Sequence, residues 1–502
     1  MLVFDFGANF ALAVGDINSD MPDEHQEITR DDITAQIPED KRARSLRASV
    51  WDGAFFSAML GFGEVYFIPM LYAIKASNYF VGLFSAIPQL CVAFFQFLAI
   101  FIVERYRYRK RVILMGASTQ ALMLGIIVIG LLATKHDPWF FVIVASVYYS
   151  VNGLAVPAWN SLLGDLTRSE DRGKYFGYRN GLCAFVVFIA LLFGGWIIQR
   201  FDNLGSSIVG FAAIMFIAMI CRFISVAFLG LHYDVPYTQV KDSYFSFWAF
   251  IKRSPKSNFA HFTYFVAFMN LSVMIAGPFF AIYMLRDVGM TYMQYTIAQG
   301  VSVVAQFIAM RRWGPFADRY GNRMVLRLTS IIMPILPIMW LFGKNYFYIL
   351  FLMVLSGLSW AGWALSSGNF IFDAVSPQKR ARCSAYLNVF ACTGVFFGAL
   401  IGGYITTHVP QTIDLGITKI TFFSVLQSSF LVSGIVRMLV VLIFMPSIRE
   451  VREVPHPKAT DMFMMLTNIK PVYGGFFEPF TGSGRKLIAG ILKSKKNDSK
   501  NH

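Results

Sequence analysis

The chain has 502 residues, of which 56% are hydrophobic and 15% charged, and it carries a net charge of +15. Soluble domains hold about 25% charged residues, so the composition argues against a soluble protein. The five cysteines lie inside apolar runs without a Cys-x-x-Cys pair, which argues against a metal site or a disulfide framework. No cofactor is expected. The net positive charge alone would fit nucleic-acid binding, but its placement in short connections argues against such a partner.

The predicted elements alternate between apolar runs and short polar connections. Each run is close to the roughly 20 residues that cross a bilayer core, and a backbone in hydrocarbon must satisfy its own hydrogen bonds. We therefore predict an all-α integral membrane protein with twelve transmembrane helices in two pseudo-symmetric six-helix halves. The predicted order is a cytoplasmic N-terminal tail (1–47), a six-helix bundle (48–231), a cytoplasmic connection (232–258), a second bundle (259–446) and a cytoplasmic C-terminal tail (447–502). The predicted spans are 48–74, 79–103, 112–133, 139–163, 175–198, 206–231, 259–284, 293–310, 324–342, 346–372, 383–406 and 421–445.

Lys and Arg accumulate in alternate connections. The connections at 105–111 and 168–179 hold several basic residues each, whereas the connections at Lys75 and Lys135 hold one each. Such an excess marks the cytoplasmic side of a membrane protein. The pattern predicts that both termini are cytoplasmic, and we expect a multi-pass protein of the inner (cytoplasmic) membrane.

The two predicted halves share a spaced motif. Asp, Arg and Asn recur at the same intervals in the connection after span four and in the connection after span ten. The two copies are Asp165, Arg172 and Asn180, and then Asp373, Arg380 and Asn388. This repetition indicates a duplicated six-helix unit, an organisation common in membrane transport proteins.

The sequence from Gly314 to Arg323, Gly-Pro-Phe-Ala-Asp-Arg-Tyr-Gly-Asn-Arg, resembles the signature loop of the major facilitator superfamily. The run Asp165-x(6)-Arg172-Gly173 is similar to that family's next cytoplasmic loop. The resemblance implies two halves that alternate access to a central cavity lined by spans one, four, seven and ten. The drug-antiporter motif of span five, Gly-Pro-x-x-Gly-Gly, is not matched, because the region reads Leu-Leu-Phe-Gly194-Gly195. The subfamily stays unassigned.

Two acidic residues of the first span are candidates for proton coupling or substrate binding. Glu64 lies near the middle of the span, where a carboxylate is costly and usually faces a cavity or a partner. Asp52 lies nearer the end of the span, where pairing with a basic connection is the alternative.

Two basic residues, Arg222 and Arg437, lie at equivalent positions in the last span of each half. Each could bind an anionic solute or pair with a carboxylate, or its side chain could extend to the headgroups.

Polar residues on the implied lining spans are candidates for the cavity, although polar side chains in lipid also bind neighbouring helices. They are Asn160, Asn270, Trp363 and Asn369. Charged residues and one glycine at the basic ends of the spans are candidates for a cytoplasmic gate, whose ion pairs form in one conformation and break in the other. The gate candidates are Asp165, Arg172, Gly314, Asp318, Arg319, Arg323, Asp373 and Arg380. The alternative is that these charges only follow the excess of Lys and Arg on the cytoplasmic side.

These features predict a secondary active transporter of a small organic solute, with protons as the candidate coupling ion and no enzymatic activity. The alternatives are an uncoupled facilitator or exporter, and a transporter-like receptor that carries nothing. The expected partners are a small-molecule substrate, protons and the lipid bilayer, and we expect a monomer.

Overall fold

The structure is a computed structural model. Most of both predicted tails and most of the central connection lie outside the residues that it describes. Those are 37–106, 109–133, 135–168, 171–235, 250–252, 254, 257–375, 379–414, 419–452 and 454.

The first half consists of helices that cross the bundle in alternating directions. Its helices are α1 (Glu39–Phe62), α2 (Phe67–Ala73), α3 (Asn78–Tyr106), α4 (Arg109–Leu132), α5 (Pro138–Leu166), α6 (Arg172–Asp202) and α7 (Ser207–Gly230). The 3₁₀ turn Glu64–Tyr66 joins α1 to α2, and together they make the first crossing. Local sequence signals define the start of α5, where Asp137 accepts a hydrogen bond from the Trp139 amide at 3.0 Å and Pro138 occupies the first helical position.

The second half repeats this plan. Its helices are α8 (Asn258–Ala276), α9 (Phe279–Ile282), α10 (Tyr292–Tyr320), α11 (Asn322–Ile332), α12 (Ile335–Met339), α13 (Tyr346–Ala374), α14 (Arg380–His408) and α15 (Leu426–Phe444). A π-helical turn, Tyr283–Asp287, extends α9, and a 3₁₀ turn, Met445–Ser447, follows α15. A short antiparallel hairpin of β1 (Thr412–Asp414) and β2 (Lys419–Thr421) connects α14 to α15.

Among the described residues, eleven helical segments are long and apolar enough to span a membrane. The helix α10 has the length but not the apolarity, because polar residues such as Gln294, Gln299 and Gln306 interrupt it. It packs between α6 and α13, and these three glutamines are half-buried. With α10 as the remaining crossing, the predicted twelve-helix architecture is confirmed.

The helix contacts confirm the duplication. Within the first half, α3 packs against α5, and α1 packs against α6 and α7. The equivalent pairs of the second half are α10 with α13, and α8 with α14 and α15. The halves meet through α3 with α14 and through α6 with α10, and exchanging the halves converts one of these pairs into the other.

The two halves share a hydrophobic core at only one end of the bundle. We call the end at which α3 meets α4 and α10 meets α11 the basic end, and the other the opposite end. At the opposite end one core cluster joins residues of both halves, including Phe67 and Met70 with Phe279 and Tyr283. Toward the basic end the described core clusters each lie within one half. The bundle is therefore closed at the opposite end and divided toward the basic end.

Some boundaries differ from the sequence-based prediction. The helix α1 begins at Glu39, inside the predicted tail, and α10 continues to Tyr320, well past the predicted span. Gly314, Asp318 and Arg319 thus lie on a helix, not in a loop. A helix can continue beyond the hydrocarbon into the membrane–water interface because its backbone hydrogen bonds are internal. The helix α10 ends at Gly321, which has a φ of 85°.

Close packing of α14 on α8 depends on a stripe of glycines. At each of them an added Cβ would meet a main-chain carbonyl of α8, so the two backbones are in direct contact. The glycines are Gly394, Gly398 and Gly402, and they face Ala267, Leu271 and Ile275, respectively.

We predict that Gly398→Val lowers the apparent melting temperature of the purified protein by several degrees. The added side chain would meet the Leu271 backbone, which cannot rotate away, and overpacking of this kind costs ~1–3 kcal/mol. The matched control is Gly230→Val, since Gly230 has open space around it. Equal melting temperatures for the two variants would contradict this account of the α8–α14 contact.

Candidate functional site

The first crossing is interrupted at its middle. The helix α1 ends at Phe62, and Gly63 follows with φ of −104° and ψ of −82°, outside the helical region. Glycine is a poor helix former, and Gly61 is required here because a Cβ would lie 2.7 Å from the Val187 carbonyl oxygen of α6. The turn that follows carries Glu64 and Tyr66.

Glu64 is held against the fourth crossing. The Tyr148 hydroxyl donates a hydrogen bond of 2.9 Å to its carboxylate, and Tyr149 lies beside it. Tyr148 is fully buried, while Glu64 is half-buried. The Arg222 guanidinium on α7 is close enough to interact electrostatically with Glu64. The carboxylate therefore has a neutral hydrogen-bond donor on one helix and a cation on another.

Asp52 belongs to the same group of charges. Its carboxylate accepts a hydrogen bond of 2.7 Å from Ser225, which itself accepts one of 2.8 Å from Arg222. Arg179 of α6 lies 3.7 Å from the other carboxylate oxygen of Asp52. Asp52 and Arg222 are 4% and 5% exposed, so this is a buried network and not an interfacial pair.

Hydrogen bonds thus join Asp52 to Arg222 through Ser225, and Glu64, held by Tyr148 of α5, is within electrostatic range of the same arginine, so we treat the three as one charge network. The burial of Arg222 rules out the alternative in which it extends to the headgroups. Sequence reasoning missed Tyr148, Ser225 and Arg179. The tyrosine pair in the fourth apolar run and the serine one turn after Arg222 were available as signals. Arg179 was counted with the basic connection, but it lies inside α6 and is 9% exposed.

Arg179 also extends the network toward the fourth crossing. Its guanidinium lies over the Trp159 ring, 4.6 Å from the centroid, and the neighbouring Asn160 is exposed. Of the other cavity candidates, Asn270 donates to the Val266 carbonyl of its own helix at 2.9 Å.

The two remaining cavity candidates lie on α13. Trp363 is 6% exposed and packs against Phe265, with ring centroids 5.3 Å apart. Trp363 therefore lies in the core of the second half. Asn369 is half-buried.

The gate candidates of the first half bind within that half. Asp165 forms an ion pair with Arg109 at 2.6 Å, and Arg109 also donates to Ser161 at 2.7 Å and to the Val235 carbonyl at 2.8 Å. The end of α5 is thereby fixed to the start of α4. Arg172 begins α6, but its side chain lies outside the described part of the chain.

The gate candidates of the second half follow an equivalent plan. Asp373 at the end of α13 accepts hydrogen bonds of 2.7 Å from Asn322, at the start of α11, and from Arg452. The hydrogen bond to Asp373 raises the pKa of Arg452, which lies beyond the last crossing. Arg380 donates instead to the Phe372 carbonyl at 2.9 Å and the Val375 carbonyl at 3.2 Å.

The signature residues of α10 and α11 make few contacts in this conformation. Glu450 accepts a hydrogen bond of 2.8 Å from the Arg323 amide. Asp318 and Arg319 are exposed, and Gly314 is half-buried with no atom within 4 Å of an added Cβ. Among the described residues, the hydrogen bonds of the gate candidates at the basic end stay within one half.

Arg437 occupies the position equivalent to Arg222 but has different partners. It is 4% exposed and donates to the Met333 carbonyl at 3.0 Å and the Val273 carbonyl at 3.5 Å. No carboxylate pairs with it among the described residues. In a continuous helix the Met333 carbonyl would accept from residue 337, which is Pro337 and has no N–H. Arg437 supplies the missing donor at the break between α11 and α12.

We predict that Arg437→Met lowers the apparent melting temperature, because it leaves the buried Met333 carbonyl without a donor, at a cost of ~1–3 kcal/mol. Adding Pro337→Ala should recover part of the loss, since alanine at this position restores the N–H that the Met333 carbonyl needs. Melting curves of both single variants and the double variant measure this coupling. The control is Arg311→Met, a change at an exposed arginine. If Pro337→Ala recovers nothing, the proposed role of Arg437 is wrong.

Comparison with known proteins agrees with this geometry. The family model described as Major Facilitator Superfamily matches residues 51–270 and again residues 260–477, one match for each half. The quinolone resistance protein NorA of Staphylococcus aureus is 24% identical over 145 residues, which are 29% of this chain and 36% of that protein. The matched stretch thus spans about a third of this relative's length.

Solved structures show the same fold over most of the chain. A bacterial homolog of the human lysosomal transporter Spinster, in an inward-facing and unoccupied conformation, superposes with a TM-score of 0.63 at 14% identity, covering 84% of this chain and 100% of that one. The nucleoside transporter NupG gives a TM-score of 0.60 at 14% identity, covering 81% and 99%. Because the family model matches both halves and the helices pack in the same duplicated order, this chain belongs to the major facilitator superfamily.

Proposed function

We propose that the protein is a secondary active transporter that moves a small organic solute by alternating access, with proton coupling through Glu64. The observation that carries this proposal is the charge network of Asp52, Arg222 and Glu64, which lies within the helices of one half. Membrane charges of this kind are costly and mark ion or substrate pathways. Family membership supports transport as the general activity.

The bundle is closed at one end and divided toward the other, which supports alternating access. We assign the basic end to the cytoplasm, since Lys and Arg concentrate there. This orientation places both termini in the cytoplasm, and we propose the inner membrane as the location. The conformation described here, closed at the opposite end and divided toward the basic end, then corresponds to an inward-open state.

The network also suggests how a proton would matter. Arg222 interacts with two carboxylates, Asp52 and Glu64, which lie on the same crossing. A proton on Glu64 would remove its attraction to Arg222. Arg222 would then interact only with Asp52 and Ser225 of this network, and Glu64 would keep Tyr148 as its neutral hydrogen-bond partner. The hydrogen bonds of Glu64 would then change with its protonation, and this change would couple a proton to the position of the first crossing.

We predict that Glu64→Gln abolishes solute accumulation driven by a pH gradient in proteoliposomes while solute counterflow continues. Glutamine keeps the shape and can still bond to Tyr148, but it cannot carry a proton. The solute is chosen by a melting-temperature screen of organic acids, nucleosides, sugars, amino acids and quinolones, since a true ligand stabilises the folded protein. The control is Asp137→Asn, which retains a good helix cap at an exposed site. Wild-type accumulation by Glu64→Gln would exclude the coupling role.

Export is the second candidate function, and the likeness of one stretch to a quinolone resistance protein favours it. A transporter confers resistance when it carries the compound out of the cell. We predict that cells producing the protein accumulate less of a fluorescent quinolone than cells producing the Glu64→Gln variant at an equal protein level. Equal accumulation in the two strains would count against quinolone export. Absence of flux for every solute that stabilises the protein would favour the receptor alternative.

A further inference from the structure

A hydrogen bond joins the two halves at the closed end of the bundle. Tyr66, in the turn between α1 and α2, is fully buried. Its hydroxyl donates to the Leu191 carbonyl of α6 at 2.5 Å and lies 3.1 Å from the Thr296 hydroxyl of α10. Thr296 is also fully buried, and its hydroxyl lies 2.8 Å from the Tyr292 carbonyl, so its single proton can be donated either to that carbonyl or to Tyr66. With Tyr66 donating to Leu191, the cross-half hydrogen bond is the one that Thr296 donates to Tyr66, and the Tyr292 carbonyl is the alternative acceptor of the Thr296 proton.

Two successive glycines of α6 make room for this pair. A Cβ on Gly194 would lie 2.7 Å from Cε2 of the Tyr66 ring. A Cβ on Gly195 would lie 2.6 Å from the Cβ of Thr296. Each glycine therefore accommodates one partner: a side chain at Gly195 would clash with Thr296 of the other half, whereas one at Gly194 would clash with Tyr66 of the same half. This explains the Gly-Gly of a segment that lacks the proline of the antiporter motif.

Other hydrogen bonds between the halves at the same end are longer and less buried. The Met293 amide donates to Gln199 at 3.2 Å, and Asn78 donates to the Thr406 carbonyl at 3.2 Å. Gln199, Met293 and Asn78 are half-buried near the end of the bundle, whereas the acceptor Thr406 is buried. Tyr66 and Thr296 lie deeper, where water cannot replace the lost bond, so their separation costs more.

The turn that carries Tyr66 also carries Glu64. Glu64 faces Tyr148 and Tyr149 of α5 and Arg222 of α7, whereas Tyr66 faces Leu191 of α6 and Thr296 and Tyr295 of α10. The two side chains therefore contact different helices from one short segment that is not α-helical. A change in the contacts of Glu64 moves the same backbone that positions Tyr66.

We propose that Tyr66 and Thr296, accommodated by Gly194 and Gly195, form a latch that holds the opposite end closed, and that the Glu64–Tyr66 turn couples this latch to the state of Glu64. The first statement stands on the cross-half contact alone. The second rests on the proposed coupling role of Glu64.

Distances between spin labels test the latch. The labels replace Leu204 and Phe342, which are 68% and 78% exposed in connections of the two halves at the opposite end, after the five native cysteines have been substituted. We expect Thr296→Val and Tyr66→Phe each to raise the ratio of open to closed opposite ends by roughly fivefold, the effect of one buried hydrogen bond. The double variant should add little beyond Tyr66→Phe, because both changes remove the same cross-half contact.

Two controls match these variants within the second half. Thr329→Val removes a buried hydroxyl that donates to the Val325 carbonyl, and Tyr348→Phe removes a hydroxyl of a half-buried residue that donates to the Met339 carbonyl. Neither bond crosses between the halves, so the distance distributions should stay at the wild-type ratio. If Thr296→Val and Tyr66→Phe behave like these controls, the latch does not exist.

The coupling is tested by combining substitutions in the same labelled protein. Glu64→Gln should shift the open-to-closed ratio when Tyr66 is present and should have no effect in the Tyr66→Phe background. An equal shift in both backgrounds would overturn the coupling and leave the latch intact. The proposed function has its own readout, because the loss of gradient-driven accumulation by Glu64→Gln is measured without reference to Tyr66.

Discussion

The structure depends on one constraint, which is that polar and charged groups buried in a hydrocarbon surrounding must find partners inside the protein. Asp52 is bound by Ser225 and lies beside Arg179, and Arg222 connects it to Glu64. In the other half the constraint has a different solution, because Arg437 donates to a carbonyl that Pro337 cannot serve. Equivalent arginines thus support ionic contacts in one half and the backbone of a broken helix in the other.

The two halves have the same helix arrangement, but their equivalent arginines have different partners. The first half holds Asp52 and Glu64 and so contains the candidate coupling site. In the second half, glycines let α14 contact the α8 backbone. The halves meet through two equivalent helix pairs, α3 with α14 and α6 with α10.

The interrupted first crossing links the chemistry to the conformation. A continuous helix would fix Glu64 and Tyr66 in one rigid frame, whereas a 3₁₀ turn after Gly63 can adjust locally. Glu64 contacts helices of the first half, whereas Tyr66 contacts α6 of the first half and α10 of the second. Under the proposed coupling, a proton on Glu64 would act on the packing between the halves through this turn.

Local properties of the chain were enough to predict the membrane class, the duplicated twelve-helix plan and the candidacy of Glu64, because hydrophobic length, loop charge and the cost of a buried carboxylate are all read along the sequence. The last turns of the helices were missed, since helical bonds continue past the hydrocarbon. The folded structure was needed to learn that Asp52 and Arg222 share a network, that Asp165 pairs with Arg109 and that Arg437 binds carbonyls. Those partners lie on different helices, and sequence spacing does not determine which faces of packed helices meet.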